Sequence, residues 1–196
     1  MFNLLKANIL MVEYRGYGDS DTVAPSEPGL KKDAEASLRF LSSHPQIDPT
    51  RIFLFGRSLG GAVAIHLAKY AQQQQRLGTM QPLAGIIVEN TFLSISKMVD
   101  HLMPYLSPFK FLVLRINWDS SKLVSSIHTP ILYLSGASDE LVPPFHMEQL
   151  YKLSMKGSND SNCVRMHIIK DGTHNETWLQ GKENKSLFFK LNPFFS

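Results

Sequence analysis

The sequence predicts an α/β domain: a mostly parallel sheet with helices on both faces. Three observations predict it. Short apolar runs alternate with segments of helical spacing. Several of those runs are apolar without interruption, as strands buried on both faces are. One run leads through a glycine-flanked serine directly into a helical segment.

Taken in order, residues 8–14 (NILMVEY) form the first apolar run and read as a buried strand. Arg15-Gly16-Tyr17-Gly18-Asp19-Ser20 follows as a turn, prolonged by Pro25, Pro28 and Gly29. Leu30, Ala34, Leu38 and Leu41 recur at helical spacing, and Pro45 closes that helix. Residues 51–55 (RIFLF) are the second strand, and residues 62–70, after Gly60-Gly61, are a helix with an apolar face. The polar tract 72–75 reads as a surface turn. Residues 84–89 (AGIIVE), 131–135 (ILYLS) and 164–169 (VRMHII) complete the set of strands. A parallel sheet of this kind puts its ligand site at the carboxyl ends of the strands. With no internal repeat and no linker, residues 1–196 read as one domain. Residues 91–126 break the alternation. They contain Pro104 and Pro108 and many large apolar side chains, among them Phe92, Phe109, Phe111 and Trp118. They read as an insertion or lid over the site, or as core helices.

Composition narrows the possible functions. The chain is 43% apolar and 19% charged, which is globular rather than disordered. Twenty basic residues against 17 acidic ones give a formal charge of +3, too small a surplus to suggest a nucleic-acid partner. Cys163 is the sole cysteine, so an internal disulfide is excluded, and its apolar surroundings in sequence predict a buried structural thiol. No stretch approaches the roughly 20 apolar residues of a membrane span, so the chain on its own reads as soluble and reduced. No histidine–carboxylate group has the spacing of a zinc site, and no cofactor is expected.

The strongest local signal is Gly56-Arg57-Ser58-Leu59-Gly60-Gly61, a G-x-S-x-G with a strand before it and a helix after it. A serine on a sharp strand-to-helix turn has its hydroxyl exposed, and glycines two residues away on each side make room for the turn. The turn also sets Ser58 near a helix N-terminus, where backbone N–H groups favour a developing oxyanion. A serine hydroxyl needs a base to take its proton, and a histidine oriented by a carboxylate is the usual one. The sequence supplies both in the order Ser, Asp, His. Asp139 follows the fourth strand in Ser135-Gly136-Ala137-Ser138-Asp139-Glu140, and His174 follows the fifth in Asp171-Gly172-Thr173-His174-Asn175. Glu140 is the fallback acid, and Asp171 reads as a loop cap. His44, His66, His101, His128, His146 and His167 fall outside the pattern and read as surface or packed residues.

The stretches VEYRGYGDS, IFLFGRSLGGAVAIHLA, GIIVENTF, YLSGASDELVP and DGTHNETW together resemble the α/β-hydrolase superfamily, and within it the Bem-type α/β-hydrolase-domain-containing proteins. The resemblance covers roughly residues 8–178. It implies an α/β-hydrolase fold whose first strands are missing here. It further implies hydrolysis of an ester, thioester or amide through an acyl-enzyme, on an acyl-bearing small molecule, a lipid or an acylated protein. An N-terminal membrane anchor and a His-Gly-Asn-type oxyanion loop also belong to that pattern. This sequence contains no such loop, so the backbone N–H of Leu59, the residue after the nucleophile, is the oxyanion donor that carries over. The tail 180–196 is atypical, and the whole reads as a shortened form with altered ends. Three functions compete: a serine esterase or thioesterase, a serine peptidase of the same fold, and an inactive fragment that acts only by binding.

Overall fold

The computed structural model describes residues 7–102, 116–158 and 163–177. Four parallel strands form one sheet in the order β1 (Phe53–Arg57), β2 (Gly85–Glu89), β3 (Ile131–Gly136) and β4 (Val164–Ile169). Helices α1 (Glu27–Ser43), α2 (Leu59–Arg76), α3 (Ile95–Leu102) and α4 (Phe145–Gly157) flank it. Every residue of β2 and β3 is buried, which explains their uninterrupted apolar sequences. The outer strands β1 and β4 are only partly covered.

The helices start and stop where their end residues demand. Ser26 caps α1 by accepting from the Gly29 N–H, and Pro28 occupies the first turn, where its missing N–H does no harm. The apolar stripe Leu30, Ala34 and Leu38 is buried at 0%, 3% and 1% exposure, against α2. Helix α2 meets that stripe and the sheet through Ala62, Ala64, Ala68 and Ala71, whose short side chains allow close approach.

Three sequence expectations are corrected. Residues 8–14 form no strand, and all but the half-buried Tyr14 are exposed: Met11 is 88% accessible and Ile9 51%. A strand exists only when a neighbour takes up its backbone groups, and among the described residues no strand lies alongside this run. The glutamine tract is no turn but the last turns of α2. Gln72 is buried there, with its amide donating to the Ser126 carbonyl (2.9 Å) and accepting from the His128 N–H (2.9 Å). Glutamine thus does at that position what an apolar residue could not, by satisfying two backbone groups under the helix end. Cys163 is half-buried rather than buried.

In the 91–126 segment, Phe92, Leu93 and Trp118 are buried members of the main core cluster. Trp118 packs edge-on against His66, and the backbone N–H groups of Asn117 and Trp118 both donate to Glu27 of α1. Phe109 and Phe111 lie outside the described residues, as does the tail 180–196.

His146 at the start of α4 is fully buried, with its ring stacked on Phe145 and its Nδ1 accepting from the Leu93 N–H. Burial, then the nearby positive charges of His101 and Lys97, lowers its pKa from 6.5 to about 4. The unfolded chain therefore binds this proton as the pH falls through 6.5, whereas the folded chain resists it until about 4. Stability should fall with acidification across that window, by up to about 1.4 kcal/mol per pH unit from this residue. Unfolding midpoints in denaturant at pH 7 and pH 5 should converge in His146→Gln, whose amide oxygen can still accept from Leu93. Equal losses in both chains would remove His146 from the acid response.

Candidate active site

The three candidate residues leave the same edge of the sheet. Ser58 follows the last residue of β1 directly, Asp139 lies three residues past the end of β3, and His174 lies five past the end of β4. Parallel pairing makes that edge common: Arg57 stands beside Glu89, Glu89 beside Leu134, and Gly136 beside Ile169.

Ser58 takes φ 52° and ψ −120°, a conformation that L residues rarely adopt. Its surroundings hold it there. The Ser58 N–H donates to the Glu89 carbonyl (2.9 Å), while its own carbonyl accepts from the Thr91 hydroxyl (2.8 Å) and the Gly61 N–H (3.0 Å). The glycines that make room differ from the expected pair. A Cβ on Gly56 would stand 2.1 Å from the Gly60 carbonyl oxygen, and one on Gly61 would stand 2.6 Å from the Thr91 side chain. A Cβ on Gly60 would meet nothing within 4 Å. Leu59 is the first residue of α2, where backbone N–H groups have no partner within the helix.

Asp139 and His174 are in direct contact. His174 Nδ1 lies 2.9 Å from Asp139 Oδ2 and 3.1 Å from Oδ1, with side-chain exposures of 7% and 1%. Asp139 Oδ1 also accepts from the N–H groups of Leu141 (2.9 Å) and Val142 (2.8 Å), so the carboxylate is fixed by its own loop. The loops after β3 and β4 lie close together because Gly136 and Gly172 face each other. A Cβ on Gly136 would come within 2.4 Å of the Gly172 carbonyl oxygen. The Ser138 N–H donates across that contact to the Gly172 carbonyl (2.9 Å).

The rivals take other places. Glu140 accepts from the His174 backbone N–H (3.3 Å) and not from the ring. Asp171 is exposed, His66 pairs with Glu35, and His146 is buried in α4. Among the described residues, the ring hydrogen bonds of His174 run to Asp139, and none joins it to the Ser58 hydroxyl. Such contacts are commonly loose until substrate is bound. Arg57 ties the two sides of the site together by donating to the Asn175 carbonyl (3.0 Å).

Sequence reasoning missed Asn90. It is the first residue beyond β2, buried, with φ 45°, and its side chain reaches both the His174 loop and the end of β3. The available signal was its place: an asparagine, tolerant of positive φ, at the sheet edge where sites form.

Residues 3–101 match a family model described as an alpha/beta hydrolase fold. An alpha/beta hydrolase domain-containing protein of Arabidopsis thaliana, WAV2, is 39% identical over the whole of this chain, which covers 62% of that relative. Protein bem46 of Schizosaccharomyces pombe is 37% identical over 91% of this chain and 55% of its own length. A Saccharomyces cerevisiae relative described as an uncharacterized membrane protein is 39% identical over 88% of this chain and 56% of its own length. Among solved structures, an alpha-beta hydrolase from Vibrio vulnificus superposes with a TM-score of 0.69 at 26% identity, over 89% of this chain and 60% of that one. This chain belongs to the α/β-hydrolase fold family. It spans 55–62% of the length of those three relatives.

Proposed function

We propose that this chain is a serine hydrolase that cleaves an ester or thioester through an acyl-enzyme. Ser58 attacks the carbonyl carbon. His174 takes the hydroxyl proton on Nε2 and returns it to the leaving group. A water deprotonated by the same nitrogen then attacks the acyl-serine, releasing the acid and restoring the Ser58 hydroxyl. Asp139 holds Nδ1 and stabilises the imidazolium, and the Leu59 N–H donates to the oxyanion. The observation that carries this reading is the buried Asp139–His174 contact, on the same sheet edge as a serine held at positive φ. The substrate is an acyl-bearing small molecule, a lipid or an acylated protein. The yeast relative's description as a membrane protein supports action at a membrane surface. Among the described residues no helix is long and apolar enough to cross one.

Labelling of the purified chain with a fluorophosphonate probe tests the reading, because such probes report an activated serine without knowledge of the substrate. Labelling is expected in the parent chain and not in Ser58→Ala or His174→Ala, where the loss is on the order of 10⁶-fold. A folded parent chain that resists the probe would overturn the hydrolase reading and leave a binding role. Faster turnover of amides than of matched esters would favour a peptidase.

A further inference from the structure

Asn90 makes more contacts than a turn residue needs. Its Nδ2 donates to the carbonyls of Thr173 (3.0 Å) and His174 (3.1 Å) and to the Thr177 hydroxyl (2.8 Å). Its Oδ1 accepts from the Gly136 N–H (2.8 Å). Chemistry fixes this orientation of the amide, since only the oxygen can meet an N–H and only the NH₂ can meet two carbonyls. The backbone N–H of Asn90 donates to the Leu134 carbonyl (3.1 Å), which anchors the residue to β3. The residue is 1% exposed, so each of these bonds is made away from water.

The two ends of this clamp are the two halves of the acid–base pair. Gly136 lies three residues before Asp139, and the other three contacts are all in the loop that carries His174. The one side chain thus bonds to both the end of β3 and the backbone of His174 itself. We propose that Asn90 is a positioning residue that sets the His174 loop against the end of β3 and thereby holds the imidazole on Asp139. This rests on the proposed roles of Asp139 and His174. Aspartate, the nearest isostere, would face two carbonyls with acceptors only. Alanine would remove every side-chain hydrogen bond and also resist the positive φ.

Asn90→Gly separates the amide from the backbone, because glycine accepts φ 45° freely. Two readouts follow. The ring Nδ1–H of His174, shared with Asp139, should give a protected downfield proton resonance in the parent chain, lost to exchange in Asn90→Gly. The maximal rate constant of fluorophosphonate labelling should fall about 10²-fold, with the half-saturating probe concentration unchanged, as misplacement of a base predicts. A folded Asn90→Gly chain with the parental resonance and the parental maximal rate would overturn the proposal. Should that variant fail to fold, Thr177→Val removes one acceptor of Asn90, together with the Thr177 hydroxyl's own bond to the Thr173 carbonyl, and leaves Asn90 in place. It should shift both readouts in the same direction by a smaller factor, and no shift would likewise overturn the proposal. If the parent chain itself does not label, the hydrolase reading fails, and the His174 resonance alone then decides the role of Asn90.

Discussion

Asp139→Asn should lower fluorophosphonate labelling and ester turnover by about 10⁴-fold while leaving the fold intact. The carboxylate has three partners: the Leu141 and Val142 N–H groups on Oδ1, and the His174 ring on both oxygens. Asparagine can serve the two backbone donors with its oxygen. Its NH₂ must then face Nδ1, and a donor there selects the tautomer that carries its proton on Nε2. That tautomer cannot take a proton from Ser58. Glu140 does not rescue the defect, because its carboxylate is engaged by the His174 backbone N–H. The check is the pseudo-first-order labelling rate beside the unfolding midpoint. A fall of less than about tenfold in a chain of unchanged midpoint would contradict the assigned role of Asp139.

Gly56→Ala should destroy the Ser58 turn, and Gly60→Ala should spare it. The methyl at position 56 would lie 2.1 Å from the Gly60 carbonyl oxygen, 2.4 Å from its carbon and 2.7 Å from the Gly61 nitrogen. All three are backbone atoms at the start of α2 and have no rotamer to move. Relief requires α2 to shift away from β1, at about 3 kcal/mol and with loss of the Ser58 geometry. At position 60 the methyl meets nothing within 4 Å and lies in the first turn of a helix, where alanine is the better helix former. Unfolding midpoints and labelling rates of the two variants, measured side by side, check this. Similar behaviour of the pair would mean that the crowding at Gly56 does not hold the turn in place.

The motif G-x-S-x-G treats those two glycines as equivalent, and that shows where reading by residue type stops. A pattern records which positions carry a small residue. Which backbone atom stands opposite each Cα depends on how β1 and α2 pack. The same limit applies to residues 8–14, whose apolar run is real but which form no strand where no partner strand lies beside them. It applies to Gln72, whose polarity suggested solvent until α2 was seen to carry it over Ser126 and His128.

The sequence by itself determined the alternation of strands and helices, the central strands β2 and β3, and the order Ser58, Asp139, His174 along the chain. Those features follow from local chemistry: apolar runs, helical spacing, glycine turns, and polar residues just past strand ends. Tertiary structure alone decided that Asp139 and His174, 35 positions apart, meet at 2.9 Å, and that Glu140 does not compete for the ring. It also decided that Asn90 bonds across to residues more than 80 positions away. Contacts of that kind depend on the register of parallel strands and on two glycines lying face to face. Neither leaves a trace in residue type or spacing, because each is set by atoms that become neighbours only once the sheet has formed.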